Sequence, residues 1–468
     1  MSQLTKTPLF SKKINIYQKR VWGRYRKIKW LVMLCTLGIY YIFPWIRWDR
    51  GVYAPDQAIL IDMPNRRAYF FFIDIWPQEV YYLVGILIFS AVLLFLLTSV
   101  LGRVWCGYFC PQTVWTDLFI WVERIFQGDR NTRMRRSRLP YSINTIWRKI
   151  STHLVWLFIS FLTGGAWVFY FNDAPTLFEH LINLDVPITI LGWVLALTFS
   201  TYFMAAFARE QVCTYVCPYS RFQSAMFDND TLIINYNKKR GEPRGKHKKG
   251  DAWKNNGHCV DCSACVQVCH MGIDIRKGLQ MECVACGLCI DACNNVMKNL
   301  NLPKGLIHYS TFNQINNPTK ENNINLWRPR IFYYLTVLSL IGIVILYGLI
   351  TRPPLELHVL HDRNPLFVTM SNGVIRNGYD IKILNKTYVD KKYTLVVSGI
   401  KDTEIKIKGL GNIEADNISV FANSVAHLRV FAYANKTELS RRKITFLIQE
   451  HNTSFYDVSN SIFISSRN

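Results

Sequence analysis

Five apolar runs punctuate the chain, at 30–46, 80–101, 154–171, 188–207 and 331–350. A helix needs roughly 17–25 residues to cross a hydrocarbon core, and each run meets or nearly meets that length. The first is short and contains Pro44, and the last is the cleanest. A buried helix of a soluble protein can imitate one such run, but hardly five. From about Leu355 the pattern changes to short alternating pieces separated by turn residues: "YDIKILNKT", "YTLVVSGI", "EIKIKGLG", "SVFANSVAHLRVFAYA", "KITFLIQE" and "SIFIS". Strands at this spacing predict a small antiparallel, Ig-like β-sandwich. The expected fold is an α-helical polytopic membrane protein of about five transmembrane helices with a C-terminal β-sandwich.

Composition agrees: half of the 468 residues are apolar and only 19% are charged, which is oily for a soluble protein. The net charge of +23 could suggest nucleic acid, but its distribution argues otherwise, and no DNA- or RNA-binding module is recognisable. Lys and Arg crowd 1–29, 102–152 and 208–330, while 172–187 has none and 47–79 has only Arg47, Arg50, Arg66 and Arg67. That alternation is the positive-inside pattern. It places the N-terminus, 102–152 and 208–330 in the cytoplasm, and 47–79, 172–187 and everything after Ile350 outside. No cleavable signal peptide is expected, because no small-residue cleavage site follows the basic leader.

Twelve of thirteen cysteines fall in the expected cytoplasmic segments; Cys35 lies inside the first run and reads as a small membrane-buried side chain. A reducing compartment favours metal ligands and redox thiols over disulfides. The stretches "CVDCSACVQVCH" and "CVACGLCIDACN" each read C-x2-C-x2-C-x3-C. Three thiolates at that spacing wrap one 4Fe–4S cube and the fourth reaches across to the other. Cys259, Cys262, Cys265 and Cys293 are therefore expected to hold one cluster, and Cys283, Cys286, Cys289 and Cys269 the second. Zinc also takes paired C-x2-C knuckles, but it wants two pairs rather than two runs of four. The segment resembles the bacterial two-cluster ferredoxin module over about 257–300. It departs from that pattern in having His270 and Asn294, not proline, after the fourth cysteine of each run. With four cysteines available, His270 reads as a solvent or outer-layer group rather than a ligand.

The stretches "RVWCGYFCPQ" and "REQVCTYVCPYS" each carry C-x3-C-P just after a span. On a helix, positions i and i+4 share a face, while proline disfavours helical geometry at the residue before it. The two segments look like a repeat: two spans, an arginine, the cysteine pair, then an aromatic-rich run. Packed as pseudo-symmetric halves, they would bring Cys106, Cys110, Cys213 and Cys217 toward each other. Such thiols could bind a soft ion such as Cu(I) or cycle through a disulfide; the bland reading is helix punctuation. Arg103 and Arg209 could favour a thiolate or anchor span ends by snorkelling.

Other chemistry is unsupported. Haem would want facing histidines within spans, and only His153 sits at a span's edge. No Gly-rich nucleotide fingerprint follows a strand. Asp117 and Glu123, in the run after Pro111, read as solvated interface residues, and His358 and His361 as linker or surface histidines.

Together these features resemble the cbb-type cytochrome c oxidase accessory family known as CcoG, FixG or RdxA, with a membrane core similar to that of NapH and NosR. The resemblance implies an inner-membrane iron–sulfur electron-transfer protein that helps mature the oxidase, with a possible cupric reductase activity, Cu(II) to Cu(I), at Cys106, Cys110, Cys213 and Cys217. It implies oxidase subunits or copper chaperones as partners of the exported, periplasmic domain, and leaves the electron donor open. A quinol-linked relay and a non-redox assembly scaffold are the alternatives. The expected division is a basic leader at 1–29, a four-span core at 30–230, a two-cluster module at 231–329, a fifth span at 330–350 and the sandwich at 351–468.

Overall fold

The computed structural model describes residues 16–140, 142–246, 256–316, 325–400, 403–408, 415–435, 440–451 and 455–465; positions 1–15 of the basic leader lie outside them. Two compact units emerge. One takes in Ala58–Ile345 and the described residues before Arg47; the other takes Arg47–Gln57 and the described residues from Leu346 on.

The described residues include five helices long and apolar enough to cross a membrane: Arg24–Trp45, Pro77–Leu101, Ile143–Phe169, Ile188–Ala208 and Pro329–Ile350. Two begin well before their apolar runs. The first, α1 (Arg24–Ile42), takes in Arg26 and Lys29, which are buried rather than solvated. The third starts at Ile143 because Arg148 and Lys149, which depress local hydropathy, lie within one continuous helix. Between the first two spans, β1 (Ile59–Asp62), β2 (Arg67–Phe70) and β3 (Ile73–Ile75) form an antiparallel meander that the apolar pattern did not announce.

α2 (Val80–Leu101) is followed by α3 (Val104–Tyr108), α4 (Pro111–Gln127) and α5 (Arg130–Arg138). α6 (Ile143–Phe169) packs on α8 (Ile188–Tyr202), with α7 (Ala174–Ile182) in their connection. The chain past α8 winds through wide π-helical turns at Phe203–Ala208 and Val212–Val216 and then enters α9 (Pro218–Ala225). The cysteine-rich segment is framed by β4 (Ile233–Tyr236) and β5 (Ile307–Ser310), paired antiparallel with Ile233 opposite Ser310. Its core includes Ile234, Ile290, Met297, Leu306 and Ile307, on the helix Leu288–Asn299 and the strands beside it.

The second unit is a sandwich of two antiparallel sheets. One has the order β10 (Glu404–Lys408), β12 (Ser424–Ala434), β8 (Ile375–Asn385), β6 (Leu355–His361), with β7 (Val368–Thr369) on β8. The other runs β11 (Ile418–Val420), β9 (Lys391–Ser398), β13 (Arg441–Glu450), β14 (Tyr456–Ile464). Strand alternation supplies the core: Ile444, Phe446 and Ile448 of β13 are buried, facing a core that includes Tyr379, Ile381 and Val430. His358 and His361 are strand residues of β6 rather than linker residues; His358 is at the surface, as expected, and the His361 ring hydrogen-bonds Asn377 at 2.8 Å.

Candidate functional site

The eight cysteines of the two runs separate into two small cavities. Cys259, Cys262, Cys265 and Cys293 line one. Cys269, Cys283, Cys286 and Cys289 line the other, and Cys265 borders it as well, so the cavities adjoin. Each run coils around its cavity by the same device. Asp261 and Ser263 in the first loop, and Ala285 and Gly287 in the second, occupy the left-handed region, with φ of 52°, 53°, 52° and 73°. Glycine takes such a φ freely; the three others adopt it at a cost. The same left-handed turns at matching positions of both loops give the two cavities a common shape.

None of the thirteen cysteines is joined in a disulfide. Burial pushes Cys265 and Cys269 up to about 11, and Cys283 and Cys293 up to about 12. Buried thiols without a cation are neutral; a metal deprotonates its sulfur ligands. Among the described residues, no three His, Cys, Asp or Glu side chains converge on one metal ion. An all-sulfur donor set too open for a single ion fits a multi-iron cluster and does not fit a zinc knuckle.

The two C-x3-C-P segments meet the second of these loops. Cys110 and Cys217 are the N-caps of α4 and α9, in extended geometry, with Pro111 and Pro218 as the first helical residues; proline fits that position because its missing N–H would be unpaired there anyway. Cys106 and Cys213 lie one turn earlier, and both pack against the cluster of Val284, Cys286 and Leu288. Their electrostatic neighbours are one another: burial pushes Cys106 up to about 12, with Cys110 and Cys213 adding to it. Burial likewise takes Cys213 to about 12, with Cys110 and Cys217 adding. Arg103 opposes both shifts and is outweighed, so it does not make a thiolate of either. The Cys106 thiol instead reaches Gln223 Oε1 at 3.4 Å, and Ser220 Oγ donates to the carbonyls of Cys213 and Cys217.

Arg103 is no snorkelling anchor. It is 4% exposed, and its guanidinium donates to the Met281 carbonyl and to the Ser220 carbonyl, the latter at 2.5 Å. It therefore ties the first repeat to the second and to the segment entering Cys283. Gly107 and Tyr108, inside the first motif, lie on the Cys283–Cys289 loop. A Cβ on Gly107 would stand 2.7 Å from the Val284 carbonyl oxygen. Tyr108 donates to the Cys286 carbonyl at 3.0 Å, and Tyr309 to the Ala285 carbonyl at 2.6 Å.

Asp117 and Glu123 are buried, contrary to the solvated reading. Asp117 takes Arg26 at 2.8 Å and Lys29 at 3.9 Å; Glu123 takes Arg133 at 2.5 Å and Arg209 at 3.2 Å. Arg209 is thus an ion-pair partner rather than a span anchor. Asp291, on the cluster helix, accepts from the backbone N–H of Tyr25 and Arg26 and so caps α1. His270 is not a solvent group: its Nδ1 lies 4.0 Å from the Cys286 sulfur. Desolvation, with Lys29 nearby, takes the ring down to about 3, so it is neutral. His153 pairs its Nδ1 with the Tyr202 hydroxyl at 2.8 Å. Tyr108, Tyr309, Gln223 and Asp291 carried no sequence signal beyond their type, because each acts through a partner distant in the chain.

Three family comparisons match the chain. A family described as a 4Fe-4S dicluster domain covers residues 208–312, a 4Fe-4S binding domain covers 83–130, and an IG-like fold at the C-terminal of FixG, putative oxidoreductase, covers 345–466. Nitrogen fixation protein FixG of Rhizobium meliloti is 46% identical over 91% of this chain and 87% of its own. Protein RdxA of Cereibacter sphaeroides is 43% identical over 91% of both. Ferredoxin-type protein NapH of Haemophilus influenzae is 25% identical over 44% of this chain and 64% of its own. Among solved structures, a FixG-related protein from Vibrio parahaemolyticus is 27% identical, covering 24% of this chain and 96% of its own at a TM-score of 0.21.

Proposed function

The chain belongs to the FixG/RdxA family, and from that premise we infer that it transfers electrons at the bacterial inner membrane to reduce Cu(II) to Cu(I) during assembly of a cbb-type cytochrome c oxidase. The ligands are Cys259, Cys262, Cys265 and Cys293 for one 4Fe–4S cluster, and Cys283, Cys286, Cys289 and Cys269 for the other. When bound, each cluster supplies reversible one-electron exchange. One electron converts one cupric ion to cuprous, the form that soft thiolates prefer.

The observation that supports this reading most is the packing of the first C-x3-C-P motif on the second cysteine loop, through Gly107 and Tyr108. The four thiols Cys106, Cys110, Cys213 and Cys217 are the copper end of the path. Cys106 and Cys213 are neutral at rest, so metal capture there releases protons. Arg103 holds the two repeats against the loop, while Tyr108 and Tyr309 fix its carbonyls. The distribution of Lys and Arg puts the N-terminus and the two-cluster module in the cytoplasm and the sandwich in the periplasm. There the sandwich would dock oxidase subunits or copper chaperones.

A second reading is favoured by the match of a 4Fe-4S binding family to 83–130, a stretch whose cysteines are Cys106 and Cys110: the four thiols would hold further iron instead of copper. One experiment separates the readings. Protein purified without oxygen is reduced until its clusters give their EPR signal, its iron is counted, and Cu(II) is added. A variant with Cys106, Cys110, Cys213 and Cys217 changed to Ser is treated alongside. Cupric and cluster signals that vanish in step in the wild type, and persist in the variant, support copper reduction at the thiols. Loss of iron beyond the two clusters' content supports the second reading. Equal copper reduction by the variant, with quinol reducing the clusters, moves the function to a quinol-linked relay.

A further inference from the structure

A cavity of about 430 Å³, with no cysteine in its wall, opens where α6 begins and the fourth span ends. Five cations line it, Arg133, Arg136, Arg148, Lys149 and Arg209, against the carboxylates of Glu123 and Glu210. Glu123 already binds both Arg133 and Arg209, so the cationic surplus is not neutralised from within. Arg133 is 7% exposed, and its Nε–H has no hydrogen-bond partner. A buried guanidinium N–H without an acceptor is costly, and Arg133 is one of the residues in the wall of this cavity. Arg136 gives one bond to the Gln127 carbonyl; Arg148 gives bonds to the Phe126 carbonyl and Asn144. Both keep further N–H groups.

The wall also has a gradient along the span. Arg148 and Lys149 lie in the second turn of α6, and Trp156 about two turns, or ~10 Å, deeper. Phe207, at the end of the fourth span and exposed, adds apolar surface to the wall, while Trp156 is buried with the Arg209 guanidinium over its ring. Cations in the first turns of α6 beside the exposed Phe207 ring suit an amphiphile with an anionic head. Basic pockets between spanning helices take the phosphate heads of anionic lipids in this way.

We propose that this cavity binds one anionic phospholipid, its phosphodiester oxygens accepting from Arg136 and Arg148 and its acyl chain lying along Phe207. The site is separate from the cysteine chemistry and does not depend on which metal the thiols handle. A free phosphate shares the headgroup chemistry, so the test must distinguish the two sources.

Full-length protein carrying its clusters, in neutral detergent, is titrated with short-chain phosphatidylglycerol, with phosphatidylcholine of equal chain length, and with inorganic phosphate. Bound lipid is counted by native mass spectrometry. One phosphatidylglycerol should be retained, about tenfold or more tighter than phosphatidylcholine, and phosphate should not displace it. The Arg136→Gln/Arg148→Gln double variant should lose about tenfold or more in that affinity with its iron–sulfur absorbance intact, whereas Arg136→Lys should keep it. If the double variant fails to hold its clusters, Thr145→Trp, which narrows the cavity and leaves every cation, should abolish retention. Equal binding of the two lipids, unchanged affinity in the double variant, or retention by Thr145→Trp would overturn the proposal. Phosphate that binds as tightly and displaces the lipid would overturn it too, by assigning the site to a soluble anion.

Discussion

The Tyr108 hydroxyl donates to the backbone carbonyl of Cys286 at 3.0 Å, joining residues 178 positions apart. One belongs to a turn at the end of a membrane span, the other to the middle of a cysteine loop. Changing Tyr108→Phe leaves that buried carbonyl without its donor, at a cost of about 1–3 kcal/mol. The variant should lose its iron–sulfur absorbance at a lower temperature than the wild type. Its reduced clusters should also be reoxidised more slowly by Cu(II), as followed by stopped-flow absorbance. An unchanged reoxidation rate would confine Tyr108 to a structural part.

The partition of the eight cysteines predicts a crossed pattern of loss. Cys293 lies on the helix that begins in the second run, yet lines the cavity of Cys259, Cys262 and Cys265. Cys293→Ser should therefore weaken the signal of the cluster held by the first run and spare that of the second. Cys269→Ser should do the reverse. EPR of the reduced variants reads this directly, and loss confined to the run in which each cysteine stands would contradict the assignment.

The Asp117 carboxyl predicts a dependence on acid. Burial alone would push it up, but Lys29 and Arg26 outweigh burial and hold it down to about 2. Its folded value thus lies below its ordinary value of 3.8. The pair's stabilisation is complete above about pH 4 and is lost as the pH falls through about 2. Asp117→Asn leaves Arg26 buried and unpaired, which costs about 3–5 kcal/mol near neutral pH. Thermal unfolding followed by the far-UV helical signal should show a gap between variant and wild type that narrows from pH 5 toward pH 2. A gap constant over that range would mean that Asp117 is not the group that titrates.

Much of this was legible because it is local. Spans, alternating strands and the two C-x2-C-x2-C-x3-C runs are periodicities within short windows, and the structure lays them out in the expected order. The spacing also dictates which sulfur is expected to cross over, and the two cavity linings divide the cysteines along the same lines. What escaped was long-range. Asp117 and Glu123 look like ordinary surface acids until Arg26, 91 positions away, and Arg209, 86 positions away, are seen against them. Arg103 looks like any arginine at a span end until its carbonyl partners at Met281 and Ser220 appear. The early start of the third span was hidden by Arg148 and Lys149, whose charge reads as a helix boundary although both line a cavity.

Gly107 gives the sharpest steric prediction. A Cβ there would meet the Val284 carbonyl oxygen at 2.7 Å, the Cys286 Cα at 3.1 Å and the Ala285 carbonyl carbon at 3.2 Å. All three are backbone atoms of the loop that coils around the second cavity, so no side chain can swing aside. That loop is further held by Tyr108 and Tyr309 at consecutive carbonyls and bends through left-handed Ala285 and Gly287. Gly107→Ala must therefore push the first C-x3-C-P turn away or deform the loop, and overpacking of this kind costs about 1–3 kcal/mol. If the turn moves, both clusters should assemble and copper-driven reoxidation should slow, as in Tyr108→Phe. If the loop moves, the iron of the Cys283, Cys286 and Cys289 site should be lost selectively. Measured iron content together with the reoxidation rate decides between them. A variant unchanged in both would show that this contact does not couple the two motifs.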